Sequence, residues 1–529
     1  MTQSSRSSYD EVPYVDTCHP STHPDRLATL AAVHGLAVPP VERCRLLELG
    51  CARGGNLLPM ALELPEATFV GVDLSERQIA QAREAAGALG IRNVDFRALS
   101  LADVDDSFGE FDFIVCHGVY SWVPDSVRDR ILEVCRRNLA PAGLAYVSYN
   151  TFPGWSARGM VRDLVRFHAR DETTPGSRVE RARSLLEELA GLVPSPEGAY
   201  ASILKVEAAR FREAKEPYLL HEFFEDDNAP CSVREFLARA GAAGLEFVAE
   251  ADTPGLGLTL PEAARGFVDR WAGTVAEREQ YLDYVVNRAF RRTVLRQSGA
   301  QRASELSPAA IARLSVQTHV VPAGSAGTGV ADGTGEDPVE FVHHSKSGSL
   351  RTNDPVLKAA LSELAEVRPR ALAFETLWER VRARLAAGER AWPRSEDEAR
   401  ETLQSALLRL FLADLVELHV KPPGFVTEVA PKPVGSPLAR RQAVDGKVVT
   451  NLLRRRVDLD ELARAVLVEL DGTRSERDVL DAIVERLGSG ELELSDGSGA
   501  IREERARDLL GREIRPALAR LARMALLVA

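Results

Sequence analysis

The chain has 529 residues, enough for about three domains of ordinary size. Its hydrophobic fraction of 45% and charged fraction of 27% are those of an ordinary soluble protein. The formal net charge of -12 argues against a general nucleic-acid binder and against attraction to an anionic membrane, because phosphate groups need a positive field.

The polar, acidic N-terminus does not have the pattern of a signal peptide, and no window reaches the apolar length that a membrane span needs. The six cysteines form no C-x-x-C pair and show no His/Cys spacing typical of zinc ligands. We therefore expect a cytoplasmic protein with reduced thiols, no metal site and no membrane segment.

Short apolar segments alternate with helical ones between residues 45 and 150. We expect strands at 46–49, 68–72, 94–98, 111–116 and 144–149. The clearest helix is 124–139, where Pro124 suits the first helical position and Pro141 and Gly143 end it. Apolar strands joined by helical crossovers indicate a parallel sheet covered on both faces, which is an α/β, Rossmann-like fold.

The turn after the first predicted strand carries an acid ahead of its first glycine. Glu48, Gly50 and Gly54 stand in the pattern Glu-x-Gly-x-Ala-x-Gly, and Asp73 ends the second strand. A pyrophosphate would be repelled by this acid, whereas a cationic sulfonium would not. We therefore expect S-adenosylmethionine (SAM) as the cofactor, with Asp73 accepting hydrogen bonds from its ribose hydroxyls. A generic turn of another nucleotide-binding sheet is the alternative.

Residues that follow the first four strands complete the predicted cofactor site. Ser100 and Leu101 follow the third strand and are placed to border the adenine, with a plain loop as the alternative. The predicted set from this part of the chain is Glu48, Gly50, Cys51, Ala52, Gly54, Asn56, Asp73, Leu74, Gln78, Ser100, Leu101 and His117.

Aromatic side chains follow the fourth and fifth strands, where substrate and cofactor meet in an open sheet of this kind. His117, Tyr120 and Trp122 follow the fourth strand, and Tyr149 and Trp155 stand at the end of the fifth. We predict that Tyr120, Trp122, Tyr149 and Trp155 wall an acceptor channel whose π faces favour a cation, and we consider His117 as a catalytic base. The alternative is that the rings pack the following helices onto the sheet. No Asp/Asn-Pro-Pro-aromatic turn follows the fourth strand, which disfavours nucleobase or glutamine amides as acceptors.

Beyond residue 150 the pattern is mainly helical over 156–215. A helix at 232–244, capped by Ser232, leads into a strand at 245–249, and a further strand is expected at 290–295. We expect these two strands to complete the same sheet, which makes the helical stretch an insertion.

The last 200 residues contain two similar segments. A Gly-rich linker over 322–338 and a hairpin over 341–350 precede them. Segments 356–420 and 462–528 each predict several helices followed by an apolar strand, which is typical of winged-helix-like α+β units. We expect His343 and His344 to be a solvated pair, and the run of Arg454, Arg455 and Arg456 to be a solvated face.

These motifs together resemble bacterial SAM-dependent methyltransferases that carry a methyltransferase regulatory domain, a group that includes the rickettsial-type outer-membrane-protein lysine methyltransferases. The resemblance rests on residues 9–14, 22–28, 47–51, 54–56, 117–124 and 149–151, with 218–222 and 287–291 in the regulatory region. It implies a class I methyltransferase core, a dimerising helical region, and middle and C-terminal domains that frame a substrate cleft. It also places Tyr14, His23 and Arg26 over the cofactor, and it implies protein lysine ε-amines as one substrate class.

We therefore expect a SAM-binding core at 1–168, a helical regulatory and dimerisation region at 169–300, a middle domain at 301–425 and a C-terminal domain at 426–529. The favoured function is methyl transfer to a protein or peptide, on a lysine ε-amine, by a homodimer. Small-molecule methylation and a SAM-binding regulatory role are the alternatives.

Overall fold

The computed structural model describes residues 12, 17–252, 256–299, 306–324, 337–346, 348–388, 395–493, 495–496, 499–500 and 503–528. Within them the core is a seven-stranded sheet in the order β3-β2-β1-β4-β5-β7-β6. Its strands are β1 (Arg45–Leu49), β2 (Thr68–Asp73), β3 (Val94–Ala98), β4 (Phe111–Cys116), β5 (Leu139–Asn150), β6 (Leu245–Glu250) and β7 (Phe290–Gln297).

The first five strands are parallel, and β7 runs antiparallel between β5 and β6. Leu46, Leu47 and Leu49 of β1 are all fully buried. Side chains on both faces of β1 are therefore buried. Such burial is typical of a central parallel strand, because helices cover both faces of the sheet. The α/β fold of the Rossmann-like kind is therefore confirmed, and the two late strands lie in the same sheet.

Four helices flank the first five strands: α1 (Pro24–Val33), α2 (Leu57–Glu63), α3 (Glu76–Ala88) and α4 (Asp125–Arg137). Ser75 caps α3 by accepting a hydrogen bond from Gln78 N at 3.1 Å. Pro124 is the N-cap of α4, so the prediction that it occupies the first helical position is wrong by one residue. Its ψ of 156° is extended and not helical, so the helix begins at the next residue, Asp125.

A helical insertion follows β5 and has an apolar core of its own, which includes Val165, Leu186 and Phe211. It consists of α5 (Trp155–His168), α6 (Pro175–Leu192), α7 (Ala199–Glu213) and α8 (Glu216–Phe224). Next come α9 (Val233–Ala242), which a Ser232–Glu235 capping box starts, and then α10 (Leu256–Thr259), α11 (Glu262–Trp271) and α12 (Val275–Val286) between β6 and β7.

The middle unit contains two small sheets and three helices. One sheet has the order β11-β10-β9 and the other the order β12-β8-β13. The strands are β8 (Ser315–Thr318), β9 (Val320–Pro322), β10 (Val339–His343), β11 (Ser349–Thr352), β12 (Leu372–Ala373) and β13 (Val416–His419), and the helices are α13 (Pro355–Val367), α14 (Phe374–Ala387) and α15 (Glu396–Leu412). The antiparallel β10–β11 pair is the predicted hairpin. Residues 325–336 of the predicted linker lie outside the described ranges.

The C-terminal unit has a separate apolar core. It contains α16 (Pro437–Asp445), β14 (Val448–Thr450), β15 (Arg456–Asp458), α17 (Glu461–Glu469), α18 (Glu476–Gly488), the strand pair β16 (Ser495–Asp496) and β17 (Gly499–Ala500), and α19 (Glu503–Arg523). Two winged-helix-like α+β units therefore follow the core, as predicted. None of the helices within the described ranges has the length and hydropathy needed to cross a bilayer.

One of the three consecutive arginines joins the C-terminal unit to the core. Only 4% of Arg454 is exposed, and its Nη1 donates to both carboxylate oxygens of Glu63 at 2.9 and 3.0 Å. The predicted solvated face is therefore wrong at this residue, because the tertiary fold brings an acid at the end of α2 against it. Arg455 stays partly exposed and pairs with Glu417 at 3.1 Å.

Candidate active site

The turn after β1 bends in a way that only glycine allows at two positions. The φ of Gly50 is +80° and that of Gly54 is +78°. A Cβ on Gly50 would lie 2.4 Å from Val119 Cγ2, and a Cβ on Gly54 would lie 2.6 Å from Phe96 Cζ. The Gly50 N–H donates to Val72 O at 2.8 Å, so the turn is closed against the end of β2.

The carboxylate of Asp73 lies between this turn and α3. Its Oδ2 accepts from the backbone N–H of Ala52 at 2.9 Å, and its Oδ1 accepts from that of Ser75 at 3.0 Å. Ala52 has a φ of +47°, so the carboxylate holds a left-handed residue of the turn in place. Further along, Gln78 is 98% buried, and its Oε1 has no hydrogen-bond partner among the described residues. A buried acceptor without a donor favours a ligand at this place.

A buried network of polar side chains fixes the N-terminal segment on the turn. Asn56 Nδ2 donates to Glu48 Oε1 at 2.7 Å and to Thr22 Oγ1 at 2.9 Å. The backbone N–H of His19 donates to Asn56 Oδ1 at 2.9 Å. Asn56, which Glu48 orients, therefore holds the segment from His19 to Thr22 against the turn, although that segment lies more than thirty residues earlier in the chain.

His117 lies beside that segment, after β4. Its ring stacks on His19 with 3.7 Å between centroids, and its Nδ1 shares a hydrogen bond with Tyr146 Oη at 2.9 Å. Burial, with smaller contributions from His19 and Arg292, holds the pKa of His117 well below its ordinary value. Burial and Arg292 lower the pKa of His19 to about 4. Both imidazoles are therefore neutral at pH 7.

The chain has relatives among known proteins. It is 32% identical to uncharacterized protein RP789 of Rickettsia prowazekii over 532 aligned residues, which cover 100% of this chain and 95% of that protein. Models of three families match it: the methyltransferase domain at 46–143, the predicted methyltransferase regulatory domain at 215–297, and the PKMT C-terminal winged helix domain at 431–526.

Among solved structures, PKMT2 from Rickettsia typhi in complex with AdoHcy matches with a TM-score of 0.85 and 26% identity, over 98% of this chain and 100% of that one. The chain belongs to this family of SAM-dependent methyltransferases. A ubiquinone biosynthesis O-methyltransferase of Sinorhizobium fredii is 33% identical over only 21% of this chain and 42% of its own length.

The residues that the structure gathers at the turn of the methyltransferase fit SAM. Val119 and Phe96 fill the Cβ positions of the two bent glycines, and Asp73, Gln78 and Glu48 present the oxygens that could accept hydroxyl or amine hydrogens of SAM. Cys51 is buried, Ala52 is half-buried, and Leu74 is exposed at the end of β2. Ser100 and Leu101 are half-buried after β3, where Ser100 caps a short 3-10 turn by accepting from Ala102 N.

Two cofactor residues inferred from the resemblance have other contacts. Arg26 Nε and Nη2 donate to the carbonyl oxygen of Ala251, which follows β6. His23 caps α1 by accepting from Asp25 N at 3.1 Å, and its ring faces Glu63. Both side chains therefore have structural contacts, and their place over the cofactor stays a prediction. Tyr14 lies outside the described residues.

Two of the predicted channel aromatics belong to the core of the methyltransferase. Tyr120 and Tyr149 are 0% and 1% exposed, and both rings pack on Phe236 of α9, at 5.2 and 4.1 Å between centroids. Their assignment to the acceptor channel is therefore wrong, because α9 covers this end of the sheet. Packing, the alternative considered above, accounts for both rings.

The two tryptophans remain at the edge of the sheet. Trp122 and Trp155 meet edge to face, with 6.2 Å between ring centroids. Buried polar atoms without a partner among the described residues lie next to them in the chain, namely Asn150 Nδ2 and Thr151 Oγ1. Asn150 and Thr151 carry one signal in the sequence, because they come directly after a predicted strand. The sequence does not show that their side chains are buried. His19 carried no such signal, since the ring that it stacks on, His117, is 98 residues further along the chain.

The predicted solvated histidine pair has a third neighbour. Side-chain ligand atoms of His319, His343 and His344 all lie within 4.8 Å of one another. His343 Nδ1 accepts from the backbone N–H groups of Ser345 and Lys346, so the proton of its neutral ring is on Nε2, which is then no metal ligand. We assign no metal to these residues.

Replacing Gly50 by alanine should weaken both the fold and SAM binding of the methyltransferase. The left-handed backbone costs about 1–2 kcal/mol for a residue with a Cβ, and forcing Val119 aside costs about 1–3 kcal/mol more. Gly90→Ala is the matched control, because Gly90 has a φ of +68° but open space around its Cβ position. Urea unfolding should show a larger loss for Gly50→Ala than for Gly90→Ala. Equal losses would contradict the close packing on Val119.

Proposed function

We propose that this methyltransferase acts on the ε-amine of lysine side chains in a protein acceptor. The match to PKMT2 of Rickettsia typhi supports this most, together with the resemblance to lysine methyltransferases described above, because it extends over 98% of the chain. It therefore includes the helical insertion and both C-terminal units. The ubiquinone enzyme matches over only 21% of the chain.

Cofactor binding is proposed for the residues at the turn. Asp73 would accept hydrogen bonds from the ribose, and Glu48 would attract the positively charged end of the donor. Gly50 and Gly54 would hold the turn in its left-handed bend, which closes against Val119 and Phe96. Bound SAM supplies the methyl group, on a sulfonium that becomes a neutral thioether on transfer.

The acceptor face is proposed to lie at the ends of β4 and β5. Indole faces attract a cation, so the half-buried Trp122, packed edge to face on the buried Trp155, would hold a lysine side chain there. The amine must attack as a free base, so that an N–C bond forms as the C–S bond breaks and one proton is lost. His117 lies at the same edge of the sheet, but the burial that holds its pKa well below the ordinary value makes its imidazole a poor acceptor, so we propose that the proton leaves to water.

We also keep the four predicted segments, 1–168, 169–300, 301–425 and 426–529, as the proposed domains. A homodimer through the helical insertion is supported by large apolar side chains that it exposes. Phe167 is 70% exposed, Leu192 is 66% exposed and Val206 is 59% exposed.

Labelled SAM and a bacterial lysate provide the test. We expect label on protein bands, and methyl-lysine after acid hydrolysis. The matched control is the same lysate with its lysines blocked by acetylation, which removes the nucleophilic lone pair and should remove the signal. Label confined to the small-molecule fraction, or to other amino acids after hydrolysis, would overturn the lysine proposal.

A further inference from the structure

A cavity of about 730 Å³ opens beside Trp155, between α5 and the segment at 225–231 that follows α8. We name it the α5 cavity. Apolar side chains form most of its wall, and four polar side chains, including Ser156, line it as well. Its lining includes Phe152, Trp155, Phe167, Arg162, Asp163 and Asn228.

Two of these polar side chains have hydrogen-bonding atoms without a partner. Arg162 is 92% buried; its Nη2 donates to Glu225 O, while its Nη1 is buried with no partner among the described residues. Both Oδ1 and Nδ2 of Asn228 are also buried and unpartnered there. Leaving such atoms without a partner is unfavourable, so they favour a polar ligand that contacts them.

The α5 cavity adjoins the edge of the sheet where methyl transfer is proposed. Trp155 belongs to its wall and contacts Trp122, which follows β4. The segment that carries Asn228 is tied to the same edge, because Ala229 N donates to Ser121 O at 2.9 Å and Cys231 N donates to Asn150 O at 3.1 Å. A chain bound in the cavity would therefore lie next to the two tryptophans.

The free atoms match the polar groups of a polypeptide backbone. A side-chain amide such as that of Asn228 pairs with a peptide unit twice, since Oδ1 accepts from an N–H and Nδ2 donates to a carbonyl. Arg162 Nη1 can donate to a further carbonyl, and the apolar wall can take a neighbouring side chain. Extended peptides are bound in this way elsewhere, with affinity from backbone hydrogen bonds and selectivity from side-chain pockets.

We propose that the α5 cavity binds the extended backbone of the acceptor protein beside the target lysine, with Asn228 and Arg162 as its backbone contacts. This inference rests on the proposed lysine methylation. Specificity then comes from the residues of the acceptor that flank the target lysine. A lysine within a polypeptide is preferred over an isolated lysine, because only a polypeptide has a backbone that can contact Asn228 and Arg162.

The test compares two substrates, a lysine-containing peptide taken from a protein that the enzyme labels and Nα-acetyl-lysine methylamide, which has no flanking residues. For Asn228→Leu we expect at least a tenfold rise in KM for the peptide, with kcat within twofold, SAM affinity unchanged and no change for the small substrate. Asn228→Asp keeps one acceptor and loses the donor, so its KM should rise less. Arg162→Lys should also raise KM, whereas Arg212→Lys, an exposed change on α7 away from the cavity lining, should not.

Each outcome separates the two proposals. If the unmodified enzyme methylates neither substrate nor any protein lysine, the proposed function fails. If it methylates the peptide and folded Asn228→Leu has an unchanged KM, the α5 cavity is not the backbone site. A change in oligomeric state on size-exclusion chromatography with an unchanged KM would show instead that a second copy of the chain covers it. A KM that rises equally for both substrates would also overturn backbone binding.

Discussion

Asp73→Ala is expected to weaken SAM binding by at least a hundredfold and to reduce methyl transfer correspondingly. Two hydrogen bonds from the ribose to a charged acceptor contribute roughly 1.5–3 kcal/mol each, and a factor of a hundred corresponds to about 2.7 kcal/mol. The loss has a second source, because Asp73 Oδ2 also holds the N–H of Ala52 in its left-handed turn. Calorimetry with SAM and with S-adenosylhomocysteine measures the effect directly.

Asp95→Asn is the control for the change in charge. Asp95 lies on the neighbouring strand β3, is exposed, and forms a surface pair with Arg97. We expect its SAM affinity to stay within about twofold of the unmodified protein, since exposed pairs contribute less than about 1 kcal/mol. Asp73→Asn keeps the size of the side chain but loses the charge, and should fall between the two. If Asp73→Ala bound SAM as tightly as Asp95→Asn, the assignment of the ribose site would be wrong.

Arg454→Leu should lower the free energy of unfolding by about 3–5 kcal/mol, because it leaves the buried Glu63 carboxylate without its partner. Burial by itself would raise the pKa of Glu63, but Arg454 and His23 outweigh burial and lower it. The acid is therefore charged at pH 7 in the folded protein. Urea unfolding and protection from hydrogen exchange in α2 are the measurements.

Two comparisons isolate this pair. Arg454→Leu combined with Glu63→Leu removes both charges, so it should cost less than the sum of the two single changes. Arg43→Leu breaks the pair with Glu66, whose side chains are 76% and 67% exposed, and should cost less than about 1 kcal/mol. An Arg454→Leu loss as small as that of Arg43→Leu would mean that the C-terminal unit does not depend on this contact.

The cofactor side of the active site could be predicted from sequence because its signals are local. Glu48, Gly50 and Gly54 lie within seven residues, and parallel strands bring Asp73 to the same edge as a matter of topology. The acceptor side could not be predicted in the same way. An aromatic residue after a strand looks the same whether it lines a channel or packs on a helix, and α9 decides the second outcome for Tyr120 and Tyr149.

Charge patterns show the same limit. Three consecutive arginines on an acidic chain indicate a solvated face, yet Arg454 is buried on an acid 391 residues away. Likewise, nothing in the sequence around Arg162 and Asn228 distinguishes them from surface residues, and their unpartnered atoms become evident only once α5 and the following segment pack together.

The sequence by itself determined the Rossmann-like sheet, the SAM-binding turn and the two C-terminal units, since periodicity, glycines and strand-end acids act over short distances. Only the tertiary structure decided which aromatic rings stay at the sheet edge, where the N-terminal segment lies, and how the C-terminal unit attaches to the core. Those features depend on burial and on ion pairs between residues hundreds of positions apart, and desolvation sets their energies only when the chain is folded.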